Sequence, residues 1–111
     1  MNHRPERVAK LIQEELAAMF ARELEFPGAL VTVSDVEVSK KLDAACVKIG
    51  VVPPYKAAAV QEAVNKARAE LQFSLTRKLN IKPMPHVRFE IDRGLENAAA
   101  VEKKLLESAE G

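Results

Sequence analysis

Apolar residues recur along this chain with two different periods, and the switches between them mark its elements. Val8, Leu11, Ile12, Leu16, Met19, Phe20 and Leu24 fall at steps of three and four, which makes one apolar stripe on a helix. Pro5 suits the first turn of that helix, and Phe26-Pro27-Gly28 ends it. From residue 30 the period becomes two. Val31 and Val33 share one parity while Val36 and Val38 share the other. A strand over 30–38 with a bulge or kink at Ser34-Asp35 is therefore predicted. A second strand over 42–52 puts Ala45, Val47, Ile49 and Val51 on one face and Cys46, Lys48 and Gly50 on the other. The short link Ser39-Lys40-Lys41 permits an antiparallel hairpin. Pro53-Pro54 stops that strand. The helical period returns from Tyr55 to Asn80 in Val60, Ala63, Val64, Ala67, Leu71, Leu75 and Leu79. So long a helix in a small domain is expected to bend or break once. Pro83-Met84-Pro85 terminates it, and Val87, Phe89 and Ile91 then alternate with Arg88, Glu90 and Asp92 as a third strand.

Helix, strand, strand, long helix, strand is the order of an α+β two-layer sandwich, with helices on one face of a three-stranded sheet. The 111 residues fit one domain, placed at 1–95. A C-terminal tail over 96–111 is read as a short helix through Val101, Leu105 and Leu106, or as disordered. Hydrophobic residues at 48% and charged residues at 30% argue for a folded core over wholesale disorder. No apolar run approaches the roughly 18 residues of a membrane span, and the first residues lack the apolar core of a signal peptide. An intracellular, cytoplasmic, monomeric protein is expected.

Chemistry that would mark an enzyme is sparse. Cys46 is the only cysteine, which leaves no internal disulfide, and no motif places a histidine or aspartate to activate it. It is read as a small packing residue. His3 and His86 have no metal-ligand spacing. Ser34, Ser39 and Ser74 lack a nucleophile-elbow setting. Glu90 and Asp92 are read onto opposite strand faces and set aside as an acid–base pair. There is no phosphate-binding glycine loop. Neither enzyme activity, a cofactor nor a metal is expected.

The order and spacing of several segments resemble those of bacterial ribosome-binding factor A. Arg4-Pro5-Glu6-Arg7-Val8 opens the first helix, and Val31-Thr32-Val33-Ser34-Asp35-Val36-Glu37-Val38-Ser39 forms the first strand. Leu42 and Ala45 follow it, and Pro85-His86-Val87-Arg88-Phe89-Glu90-Ile91-Asp92 follows the family's Pro-x-Leu-x-Phe-x-x-Asp pattern. The likeness covers nearly the whole chain without insertions. Phe26-Pro27-Gly28 departs from it, standing where the family usually has Asp-Pro-Arg. The resemblance implies a type II KH-like fold. It also implies an assembly factor that binds free small ribosomal subunits and their ribosomal RNA, and assists late maturation and RNA processing. An ordinary KH domain clamps nucleotides with a Gly-x-x-Gly loop, which this chain lacks. The family instead has an Ala-x-Gly helix break, which falls here on Ala67-Arg68-Ala69. Ala69 in the glycine position favours a continuous helix by about 1 kcal/mol.

Charge bears on the same question. The net charge is +1, but it is unevenly spread. Residues 1–37 carry four basic and seven acidic side chains, residues 38–94 eleven and five, and residues 95–111 two and four. Lys40 and Lys41 mark the hairpin turn. Lys66, Arg68, Arg77, Lys78 and Lys82 lie on or just after the long helix, with Arg88 on the third strand. Clustered cations on one surface would bind phosphates through counterion release. By charge alone, the same residues are more often the solvated face of a helix. The resemblance selects the RNA reading. Phe20, Phe73 and Phe89 are assigned to the core and Tyr55 to packing at the helix start, so backbone contact is expected to outweigh base stacking. An alternative is a protein-interaction adaptor that uses the apolar stripe of the first helix.

Overall fold

A computed structural model of the chain describes residues 3–93. The tail expected at 96–111 lies outside the described residues. The elements are α1 (Arg4–Glu23), β1 (Leu30–Val38), β2 (Ala44–Val52), a short 3-10 turn (Pro54–Lys56), α2 (Ala57–Leu79) and β3 (His86–Ile91). The order and the two-layer α+β architecture are those expected. β1 and β2 pair antiparallel. β3 lies parallel to β2 on its other side, giving the order β1-β2-β3. That parallel step needs a crossover, and α2 provides it.

The parity change in β1 has a direct structural cause. Val33 pairs with Ile49 and Asp35 with Lys48, so Ser34 is an extra residue in the ladder. This bulge keeps Val31, Val33, Val36 and Val38 on the helix side of the sheet. β2 contributes Ala45, Val47, Ile49 and Val51 to the same side, all buried. Helix α1 packs across β1 and α2 across β3. Val8, Ile12, Leu16, Met19 and Phe20 of α1 are buried against Val60, Val64, Leu71 and Leu75 of α2 and the sheet. Phe20 joins the layers, edge-on to Phe26 with ring centroids 5.8 Å apart and 6.1 Å from Phe89. The apolar stripe of α1 is thus consumed by the core, which removes the surface that an adaptor role for this helix would need.

Expectations about individual apolar residues are corrected at several positions. Phe73 is 61% exposed: it sits two residues from both Leu71 and Leu75, which turns it about 200° away from them on a helix. Leu11 and Ala63 are also exposed, and so is Tyr55, which is 81% exposed in place of the packing expected at the helix start. Leu42 precedes β2 instead of opening it, and is buried from a turn in which its φ is +62°.

Helix α2 is continuous from Ala57 to Leu79. The expected break at Ala67-Arg68-Ala69 does not interrupt it. Alanine is the best helix former, and Val64 and Leu71 on either side stay in phase on one buried face. The helix ends at Asn80, whose left-handed conformation (φ +49°) lets its N–H reach the Thr76 carbonyl.

Candidate nucleic-acid interface

Basic side chains gather at one end of the molecule. The backbone N–H of His86 donates to the carbonyl of Asp43, so β3 begins beside the hairpin turn that carries Lys40 and Lys41. Ser39 builds this turn. Its hydroxyl donates to the Asp43 carboxylate and accepts from the N–H groups of Asp43 and Ala44 at 3.1 Å. The Ser39 hydrogen bond, aided by Lys41, holds the Asp43 carboxyl below its ordinary value. Both lysines are exposed. Lys82 lies on the loop leading into β3, and the Arg4 guanidinium reaches its carbonyl at 3.3 Å. Arg4 therefore joins this end from α1, a residue that the charge count along the chain had grouped with the acidic segment.

The cations of α2 divide among three directions. Lys66, Phe73 and Arg77 are spaced by seven and four, which puts them on one outward face. The Arg77 guanidinium carbon lies 5.7 Å from the centroid of the Phe73 ring. Lys66 pairs with Glu62 at 3.2 Å. Lys78 turns toward α1, where its ammonium is 3.1 Å from Oε1 of Glu15, and Arg22 approaches the same oxygen at 3.7 Å. That oxygen is buried and has no aligned hydrogen bond, so its attraction to the two cations is chiefly electrostatic. Arg68 lies four residues before Gln72 and seven after Gln61, on the flank that meets β3.

Arg88 does not join the others. It pairs in register with Cys46 and projects from the sheet face that no helix covers. This open face is mixed in charge: Asp35, Glu37 and Glu90 stand among Lys48 and Arg88. The Cys46 thiol donates to Glu90 at 3.2 Å and Ser34 donates to Asp92 at 2.7 Å. Glu90 and Asp92 are two residues apart on an extended chain and so share this face, which corrects their expected separation. Partial burial and the Glu90 carboxylate push the Cys46 thiol up from its ordinary value, against a smaller opposing pull from Arg88. A protonated thiol is a poor nucleophile. Among the described residues no three His, Cys, Asp or Glu side chains come together to hold a metal ion, and no helix is long and apolar enough to cross a membrane.

The family model of ribosome-binding factor A matches residues 4–105. The chain belongs to the ribosome-binding factor A family. Members from Nitrosococcus oceani and Pseudomonas putida are 34% and 33% identical, over 97% and 94% of this chain and 90% and 85% of theirs. One from Akkermansia muciniphila is 32% identical over 83% of this chain and 74% of its own length. The fold is similar to that of a homology model of the Thermus thermophilus ribosome binding factor A as fitted into a cryo-EM map of its complex with the 30S subunit. The TM-score is 0.63 at 24% identity, covering 85% of this chain and 97% of that one. The crystal structure of ribosome-binding factor A from Thermus thermophilus gives 0.58 at 24% identity over 80% and 91%. These neighbours share the KH-like arrangement of two helices on a three-stranded sheet.

Proposed function

We propose that this protein binds free small ribosomal subunits through their ribosomal RNA and assists late maturation and RNA processing. It acts there as a monomeric, non-enzymatic assembly factor in the cytoplasm. The observation that carries this reading is the end-to-end match to the ribosome-binding factor A family. The geometry supports it with a basic end built from Lys40, Lys41, Lys82 and Arg4, continuous with the outward face of α2. Phosphate contacts from such an end position a protein on RNA without reading bases. Sedimentation of the purified protein with separated ribosomal subunits tests the proposal. Co-migration with small subunits, weakening as salt is raised, is the expected result. Absence from the small-subunit fraction would refute it.

A further inference from the structure

The exposed ring of Phe73 is the one large aromatic side chain on the outward face of α2. It sits with Ser74, Arg77 and Lys78 around a shallow hollow of about 280 Å³. An isolated exposed apolar residue on a surface calls for no explanation. This ring differs in its company. The Arg77 guanidinium lies beside it at 5.7 Å, while most of the residue's surface stays in solvent. Lys78, held by Glu15 at 3.1 Å, adds a second cation on the rim. A planar ring, a planar guanidinium and a nearby ammonium match one nucleotide. The base can lie on the ring, and its phosphates can accept hydrogen bonds from the guanidinium fork.

We propose that Phe73 and Arg77 form a stacking site for one unpaired base of a single-stranded RNA segment. The proposal rests on the RNA-binding reading above and adds a contact made through the base. Every nucleobase has a π-face, so the site tolerates any base and discriminates unpaired from paired nucleotides. A base laid on the ring would remove from water apolar surface that the fold leaves 61% exposed. This site also gives the exposed Phe73 a role that packing does not.

The chain contains no tryptophan, so Phe73→Trp places a single indole at the site. Because the ring is exposed, neither this change nor Phe73→Leu disturbs the core. The full chain is titrated with a short single-stranded oligoadenylate and with an abasic oligomer of the same length and charge. Oligoadenylate should quench the indole, and the abasic oligomer should not. Phe73→Leu should weaken oligoadenylate binding by about 5-fold or more and leave the salt dependence unchanged, since no cation is lost. Equal binding of the two oligomers, full affinity in the Leu variant, or no binding of oligoadenylate would each overturn the stacking site. None of these results would touch small-subunit binding, which the sedimentation experiment tests separately. Loss of subunit binding by Phe73→Leu with unchanged oligoadenylate affinity would also overturn it, because the ring would then meet ribosomal protein.

Discussion

Gln72 reaches from α2 to the free edge of the sheet and satisfies two groups there. Its amide donates to the Pro85 carbonyl at 2.9 Å, and its Oε1 accepts from the Val87 N–H at 2.8 Å. β3 bonds to its neighbour through His86 and Asp92, so the odd-numbered groups face outward. Gln61 covers another of them, the Phe89 carbonyl, at 3.0 Å. An uncovered edge would offer these groups to another strand. Replacing Gln72 with alanine should cost about 1–2 kcal/mol in urea unfolding and speed hydrogen exchange at the Val87 amide. Cys46 yields a second expectation at this scale. Its pKa is raised above the ordinary 9.0 by burial and then by Glu90, so alkylation at pH 8 should be slower than for a free cysteine. Glu90→Gln should speed it. The sign for stability follows: the folded state holds the thiol proton more tightly than the unfolded state, so this contribution is full below pH 9 and fades as pH rises past the folded pKa. Residue positions of this kind were unevenly legible in the sequence. Phe73 was legible and misassigned, since its spacing from Leu71 and Leu75 already turns it outward. The task of Gln72 was not legible, because its partners lie on a strand whose place in the sheet no local pattern states.

Elements follow from periodicity where one face is buried, and the bulge in β1 shows how far this goes. The parity change between Val33 and Val36 locates Ser34 as the extra residue because every valine must reach the same core. The turn Phe26-Pro27-Gly28-Ala29 is equally local. Ala29 N–H donates to the Phe26 carbonyl at 3.0 Å, and Gly28 takes φ +72°, as the third position of a type II turn requires. Leu42 is the contrary case. Its φ of +62° is costly for leucine, and it persists because its side chain is 7% exposed in the core. Only the assembled hairpin reveals that trade. The unbroken α2 decides between two sequence signals, a family break and an alanine that opposes it, in favour of the alanine. Ala69→Gly should therefore destabilise the fold by about 1 kcal/mol. Thermal unfolding monitored by circular dichroism measures this. An unchanged midpoint would mean that residue 69 contributes nothing to helix continuity.

At the scale of the whole molecule, charge order along the chain and charge order on the surface differ, because folding brings distant segments of both layers to one end. Arg4 leaves the acidic first segment to join Lys40, Lys41 and Lys82 at one end. Arg88 leaves the basic middle segment for the open sheet face, beside Cys46 and among acidic neighbours. The polarity suggested by the +1 total is real in the sense of an end and a face, and the mixed open face has little capacity to hold phosphates. That difference sets up a comparison. Reversing Lys40, Lys41 and Lys82 together to glutamate changes three exposed side chains and should weaken small-subunit binding most at low salt. Each lost phosphate contact lowers the slope of log affinity against log salt by roughly 0.7–0.9, so the triple variant should flatten it by about 2. Arg88→Glu should leave both affinity and slope near those of the parent chain. If Arg88→Glu weakens binding as much as the triple variant, the RNA-facing surface includes the open sheet face and is not confined to the basic end.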